Sequence, residues 1–239
     1  AAVYAPRRGH HVYNGSAWVN EGILHESEAR TNLLTHSNDF TNAVWIKTAA
    51  SNTANAGVSP DGTSNANKVV PATNAGIHYT YRVLGLPSTD HSFSVYVASS
   101  GYGFATICAG SIGVADYYAV VIDLSDGTQT ALYSQGPQLK TVTVEPVGSY
   151  YRVTISGDGE KYYVVGVSDT GTYTPSNYGF KSFSGDGTSG ILAYGAQVEL
   201  GSTPSSYIPT TSASVTRAAD LLTVPAANLP YDSTNMSIQ

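Results

Sequence analysis

Apolar and polar side chains alternate along much of the chain, as they do in β-strands that bury one face. No window carries a sustained apolar stripe at helical spacing without an interrupting glycine or proline. In residues 77–83, the positions predicted to face a core are Ile77, Tyr79, Tyr81 and Val83. The positions on the opposite face are His78, Thr80 and Arg82. The pattern therefore predicts an all-β chain.

Four further segments alternate in the same way, at 91–97, 117–124, 150–155 and 192–200. Their predicted core positions are Phe93, Val95, Val97, Tyr118, Val120, Ile122, Leu124, Tyr151, Val153, Ile155, Leu192, Tyr194, Ala196, Val198 and Leu200. The polar faces then carry Tyr96, Tyr150, Arg152, Gln197 and Glu199. Glycan recognition requires rings that stack on sugars and side chains that hydrogen-bond to hydroxyl groups, and these faces offer both.

The first candidate glycan site is this set of polar-face residues: His78, Arg82, Tyr96, Tyr150, Arg152 and Gln197. Because 77–83 and 91–97 are consecutive segments, Arg82, Tyr96 and His78 are expected to lie close together, where they suit an anionic sugar. The structural alternative is that the tyrosines pack and that Arg152 only pairs with Glu199 across strands. A second candidate site lies at loop tips and contains Tyr102 and Tyr178.

Charge and composition exclude several classes of function. The chain has 239 residues, 12% of them charged, and a formal net charge of −6. Nucleic-acid binding is not expected, since phosphate neutralisation needs clustered Lys and Arg. Membrane insertion is not expected, since no apolar run approaches the roughly 20 residues that span a bilayer. The single cysteine, Cys108, lies in an apolar segment and is predicted to be a small buried side chain.

Three regions are predicted along the chain. Residues 1–27 form an N-terminal segment or hairpin that links to an upstream region, with Asn14-Gly15 as its turn. Residues 28–210 form the domain. Residues 211–239 are rich in Thr, Ser, Ala and Pro, and they are predicted to be an exit linker followed by the start of another module. The chain is therefore expected to be a fragment of a longer protein.

Two stretches, about 160 residues apart, carry a family resemblance. The first is Glu28-Ala-Arg-Thr-Asn-Leu-Leu-Thr-His-Ser-Asn-Asp-Phe-Thr-Asn-Ala-Val-Trp45. The second is Tyr194-Gly-Ala-Gln-Val-Glu-Leu-Gly201, which continues through 206–220. Shorter matches lie between them, at 60–68, 93–97, 123–128, 150–153 and 185–189. Over roughly residues 28–224, the chain resembles a carbohydrate-binding-module-like jelly-roll family of phage and prophage tail or fibre proteins. It departs from the family at Ser149-Tyr150-Tyr151-Arg152, where Gly-Trp-Tyr-Arg is common.

The resemblance implies a jelly-roll β-sandwich of two antiparallel sheets. It implies a non-catalytic carbohydrate-binding domain that attaches a virion fibre or spike to a bacterial surface polysaccharide. Such a domain would work at the virion surface or outside the cell, within a homo-oligomeric fibre. Two alternatives share these residues: a binding module of a polysaccharide-degrading enzyme, and a structural fibre domain without a ligand of its own.

The resemblance also implies one structural Ca²⁺, because jelly-roll carbohydrate modules often hold such an ion between the first and last strands. Oxygen ligands there are Asn38, Asp39, Glu199 and backbone carbonyl groups. Catalytic motifs are scarce, and carboxylate pairs such as Asp123 with Asp126 fall in turns, where they bond to their own backbone. Without a nucleophile, a base and an orienting residue in a recognisable arrangement, the chain is predicted not to be an enzyme.

Overall fold

The computed structural model describes residues 7–13, 17–86, 89–111, 116–135, 141–157, 162–174 and 179–221. Within these ranges the chain forms eighteen β-strands and no helix. The strands are β1 (Arg7–Tyr13), β2 (Trp18–Leu24), β3 (Arg30–Asn32), β4 (Ile46–Thr48), β5 (Ala50–Gly57), β6 (Ala66–Pro71), β7 (Ala75–Gly76), β8 (His78–Val83), β9 (His91–Ser100), β10 (Phe104–Ser111), β11 (Asp116–Asp123), β12 (Gln129–Gln135), β13 (Thr141–Val147), β14 (Tyr150–Gly157), β15 (Tyr162–Ser168), β16 (Phe183–Ser184), β17 (Gly190–Leu200) and β18 (Val215–Arg217). No described helix is long and apolar enough to cross a membrane.

Two six-stranded antiparallel sheets make up the body of the domain. Sheet A has the strand order β12-β11-β10-β15-β8-β4, and sheet B has the order β13-β14-β9-β17-β6-β5. Neighbours in these orders are mostly distant in sequence, so most pairings are made between non-consecutive strands, as in a jelly roll. The predicted all-β sandwich of two antiparallel sheets is confirmed.

The apolar core lies between the two sheets and contains side chains from both. The predicted core positions of 91–97, 117–124 and 150–155 are confirmed: Phe93, Val95, Val97, Tyr118, Val120, Ile122, Leu124, Val153 and Ile155 are buried, with Tyr151 packed against them. Cys108 is fully buried, as predicted. Between β11 and β12 the Asp123 and Asp126 carboxylates accept backbone N–H bonds from Ser125 and Thr128, which confirms that they serve a turn.

The face assignment of strand β8 is opposite to the prediction. His78, Thr80 and Arg82 are buried on the inner side, opposite Val167, Val165 and Tyr163 of strand β15. Tyr79 and Tyr81 are half-buried on the outer side. These polar side chains can be buried because they have hydrogen-bond partners there. The Thr80 hydroxyl, for example, donates to the carbonyl oxygen of Ile46.

Strand β17 follows the predicted alternation only in its second half. A register shift separates Tyr194 from Gln197, and Gly195 has a φ of 60° at that point. One extra residue moves every preceding side chain to the other face, so Leu192 and Tyr194 lie on the outer face of sheet B, where Tyr194 is still buried as predicted, while Ala196 and Val198 lie in the core between the sheets. Leu200, predicted to be buried, is 52% exposed.

The two motif regions meet in a small clasp, which we define as strands β3 and β18 with the segments beside them. The two strands are antiparallel, with the backbone of Arg30 opposite that of Arg217, and the Thr31 and Thr216 hydroxyls are 2.8 Å apart. The buried Asn32 amide donates to the carbonyl oxygens of Ala196 and Ile208. Part of the predicted exit linker thus contributes strand β18, whereas residues 222–239 lie outside the described residues. Strands β1 and β2 pair as the predicted N-terminal hairpin, whose turn residues also lie outside.

Candidate functional site

His78, Arg82 and Tyr96 do not converge, so the predicted arrangement of these three residues is wrong. Strand β8 lies in sheet A and strand β9 in sheet B, because the chain crosses between the sheets from one strand to the next. The fully buried His78 ring lies with Nδ1 2.5 Å from the carbonyl oxygen of Ala49 and Nε2 2.9 Å from that of Phe183. His78 therefore has a structural role between the two sheets.

The Arg82 guanidinium is buried at the edge of the core. It donates to the carbonyl oxygen and the hydroxyl of Thr35, at 2.9 and 3.2 Å, and lies 5.8 Å from the centre of the Trp45 ring. Burial lowers the pKa of this guanidinium. Arg82 is thus engaged by neighbours inside the domain, and its charge does not reach the outer face of sheet A.

The outer face of sheet B is covered by the chain itself. We call residues 202–210 the strap. The Glu199 carboxylate accepts hydrogen bonds from the backbone N–H and the hydroxyl of Ser205, at 2.7 and 2.6 Å. Arg152 donates to the carbonyl oxygen of Ser205 at 2.6 Å and lies 5.4 Å from the centre of the Tyr96 ring. The charged residues of this face therefore hold the strap.

Gln197 binds the strap at three further points. Its amide nitrogen donates to the carbonyl oxygens of Ser205 and Ser206, both at 3.3 Å, and to Glu199 at 2.8 Å. Its amide oxygen accepts from the backbone N–H of Ile208 at 2.6 Å. With no exposed surface, Gln197 has every polar group paired within the protein. Glycan binding by this residue set stays a prediction, but its observed contacts are structural.

The remaining predicted residues are dispersed. Tyr150 is 2% exposed and donates to the carbonyl oxygen of Val58 at 2.8 Å, and burial raises the pKa of its hydroxyl. Tyr102 is half-buried, with its ring centre 5.3 Å from that of Phe183. Tyr178 lies outside the described residues. The second, loop-based site is therefore neither assembled nor contradicted.

The predicted calcium ligands are engaged by separate partners. The Asn38 amide oxygen accepts from the N–H of Gly195 at 3.3 Å. The Asp39 carboxylate accepts from the Thr41 hydroxyl at 2.6 Å, the main cause of its lowered pKa, while both oxygens of Glu199 accept bonds from Ser205. The described part of the chain has no group of three or more His, Cys, Asp or Glu placed to hold a metal. Calcium binding stays a prediction.

A row of three half-buried tyrosines lies on the outer face of sheet A. We call Tyr79, Tyr81 and Tyr162 the tyrosine ladder. The ring centres of Tyr79 and Tyr81 are 5.6 Å apart, and those of Tyr81 and Tyr162 are 5.9 Å apart. Ile46 and Val83, each 45% exposed, flank the rings. The ladder is thus a continuous, partly exposed aromatic surface with apolar margins.

The register of sheet A produces the ladder. Tyr79 and Tyr81 are two residues apart on β8 and so point the same way, and Tyr162 is opposite Val83 in the next cross-strand row. Beside Tyr79, Gly166 leaves room for the buried Phe180 ring, since a Cβ at 166 would lie 2.5 Å from that ring. Phe180 in turn packs 5.0 Å from Tyr79 and supports the end of the ladder.

The hydroxyl group of Tyr81, the central residue of the ladder, stays neutral at physiological pH. Burial, followed by the neighbouring hydroxyls of Tyr79 and Tyr162, raises the pKa of Tyr81. A neutral phenol can both donate and accept a hydrogen bond, and its ring offers an apolar face. The ladder therefore presents alternating apolar and hydrogen-bonding surface.

Sequence reasoning missed the ladder because it assigned Tyr79 and Tyr81 to the core. One signal was present: Tyr-x-Tyr on one strand and Tyr162-Tyr163 on another, with the outward position of each pair decided only by register. Tyrosine carries a hydroxyl that favours a partly wet position, whereas His78 and Arg82 have side chains long enough to reach backbone carbonyls. Without knowledge of those carbonyl partners, the apolar face is the natural choice for the core.

Comparison with known proteins adds little to this geometry. No family model matches the chain. No curated protein matches it. One solved structure aligned to it contains the CBM22-1 and GH10 modules of Clostridium thermocellum endo-1,4-beta-D-xylanase 10B complexed with xylohexaose. That structure is 15% identical, with a TM-score of 0.34, over 77% of this chain and 30% of that chain. A similarity this low says nothing about function.

Proposed function

We propose that the domain binds carbohydrate on the outer face of sheet A, through the tyrosine ladder. The observation that carries the proposal is the continuity of three partly exposed rings at 5.6 and 5.9 Å. Sugar rings have an apolar C–H face and a rim of hydroxyl groups, and a tyrosine matches both with its ring and its phenol. Rings held by a sheet are positioned before the ligand arrives, which reduces the entropy lost on binding.

We propose further that this domain belongs to a virion fibre or spike that attaches to bacterial surface polysaccharide. The support is the pair of motifs at 28–45 and 194–220, whose residues form the clasp. A module of a polysaccharide-degrading enzyme would use the ladder in the same way. A structural fibre domain would instead bury the ladder against another subunit, which the oligomeric state of the isolated domain tests.

Replacing Tyr81 with alanine is expected to weaken glycan binding by at least about tenfold, the scale of one lost interaction of about 1.4 kcal/mol. Tyr81 is the central ring of the ladder, so its loss interrupts the stacking surface on both sides. The measurement is a polysaccharide array, followed by titration of the strongest binder. Tyr81→Phe keeps the ring and should stay within a few-fold of the parent.

A remote apolar change on the other sheet serves as the control. Val58 is 49% exposed and directly follows strand β5 at the edge of sheet B, so Val58→Ala should bind as the parent does. Parent-like binding by Tyr81→Ala, together with loss of binding on changing Tyr102 or Tyr178, would place the site at the loops instead. The melting temperature of each variant separates lost binding from lost folding.

The isolated domain is expected to release no sugar from the polysaccharides that it binds. The described strand positions of the ladder face carry no carboxylate or imidazole that could act together with a phenol as an acid–base or nucleophile–base pair. Reducing ends and unsaturated uronate absorbance are followed during long incubation with each polymer. Steady release in proportion to protein concentration would contradict the binding-domain proposal.

A further inference from the structure

The ring planes of the tyrosine ladder are not parallel. The planes of Tyr79 and Tyr81 differ by 53°, and those of Tyr81 and Tyr162 differ by 31°. A flat crystalline polysaccharide surface needs coplanar rings, because stacking requires each sugar to lie face to face with its aromatic partner. Successive ring planes in the ladder are rotated relative to one another. They therefore match a single glycan chain, in which successive sugar rings are also rotated about the chain axis.

The described strand positions beside the ladder carry uncharged side chains. On β4, β8 and β15 the partly exposed positions of this face are Ile46, Thr48, Tyr79, Tyr81, Val83 and Tyr162, whereas Val164, Gly166 and Ser168 are buried. The basic residues of the same strands point the other way: Arg82 binds Thr35, and the Lys47 ammonium donates to the carbonyl oxygens of Thr41 and Asn42. An acidic sugar laid on the ladder would find no basic partner among these positions.

The net charge of the whole chain also disfavours an acidic ligand. A formal net charge of −6 repels a polyanion at long range. A carboxylate moved onto an apolar rim formed by Ile46 and Val83 loses water without gaining a guanidinium or ammonium partner from the described strand positions of this face. Uncharged sugars carry no such penalty, and their hydroxyls can exchange hydrogen bonds with the phenols of the ladder.

We infer that the ligand of the ladder is an uncharged, single glycan chain, contacted over about three consecutive sugars, rather than an anionic polymer or a crystalline surface. The inference rests on the proposed function and names the class of ligand for that same site. Each ring accounts for one sugar, because the centroid spacings are comparable to the length of one pyranose unit. The remaining sugars of a longer chain extend into solvent.

The test compares three kinds of probe on the whole chain. Soluble neutral glucans, mannans, xylans and galactans with their oligosaccharides form the first group, polygalacturonate and alginate the second, and microcrystalline cellulose and chitin the third. At least one neutral polymer should bind, with oligosaccharide affinity rising up to about three units and then levelling. Its affinity should change less than about twofold between low salt and about 1 M salt, since no charge pair is formed.

The variants distinguish failure of the inference from failure of the proposed function. Tyr79→Ala and Tyr81→Ala should each weaken binding of the neutral polymer by at least about tenfold. Binding to polygalacturonate alone, steeply reduced by salt and lost in Tyr81→Ala, would overturn the inference while keeping the site. Failure of every neutral polymer also overturns it. Unchanged binding in both ladder variants overturns the proposed function itself.

Discussion

Replacing Gln197 with alanine should lower the free energy of unfolding by about 3 kcal/mol, because it leaves several buried groups of the strap without partners at about 1–3 kcal/mol each. The Gln197 amide is fully buried. It hydrogen-bonds to the Glu199 carboxylate, to the carbonyl oxygens of Ser205 and Ser206, and to the N–H of Ile208. For a domain of this size the melting temperature should fall by about 10 °C.

Gln129 offers a matched control for this change. It lies exposed on the edge strand β12, so Gln129→Ala should alter the free energy of unfolding by less than about 0.5 kcal/mol. Urea unfolding of the parent and both variants gives the comparison. If Gln197→Ala were as stable as the parent but had lost polysaccharide binding, the outer face of sheet B would be the glycan site and the strap would have to leave it.

Replacing Trp45 with alanine should cost about 4 kcal/mol of folding free energy, the scale of removing a large buried aromatic side chain. Trp45 has no exposed surface, and its ring centre is 4.3 Å from that of Phe40 at an angle of 23°. Its indole N–H donates to the carbonyl oxygen of His36 at 2.9 Å, and Arg82 lies over the ring. The change removes packing, a hydrogen bond and a cation–π contact together.

Two comparisons make the Trp45 result specific. Trp45→Phe keeps part of the ring contact and should cost clearly less than Trp45→Ala. Trp45→Ala combined with Arg82→Met should cost less than the sum of the single changes, because residues in contact are coupled. A loss below about 1 kcal/mol in Trp45→Ala, measured by denaturant unfolding, would contradict the packing described for this ring.

Alternation was sufficient to predict strands whose two faces differ clearly. Phe93, Val95 and Val97 alternate with Ser92, Ser94 and Tyr96 in β9, and Val153 and Ile155 alternate with Arg152 and Thr154 in β14. In these strands only one face is mainly aliphatic, so the choice of the face that packs in the core was unambiguous. The all-β class followed from the same signal, since period-two patterns recur along the chain without a helical stripe.

Strands β8 and β17 could not be assigned in this way, for two different physical reasons. In β8, the core face carries polar residues whose partners, such as Ala49 for His78 and Thr35 for Arg82, lie far away in sequence. In β17, a bulge at Gly195 reverses the alternation, and a bulge leaves no period-two trace. Both are properties of the assembled sheets rather than of a local segment.

The candidate site was missed because of the face assignment in β8. Placing Tyr79 and Tyr81 in the core removed the ladder from consideration and put Arg82 on the surface in their place. The strap had a similar effect on sheet B, because nothing in residues 202–210 indicates that Ser205 covers Arg152 and Glu199. Long-range coverage of a polar face is decided by tertiary structure, so polar composition alone overestimates the binding surface.

The clasp determines how the domain responds to a pulling force. Arg30 and Arg217 are paired where the chain enters and leaves the sandwich, and Glu26 and Asp220 exchange hydrogen bonds just outside them. Tension between the flanking segments therefore separates the clasp from one end, breaking its short row of contacts one after another rather than all at once. Sheets A and B lie beyond that point and carry no load until the clasp has opened, so a module stretched from both ends yields first at its termini and keeps the tyrosine ladder intact.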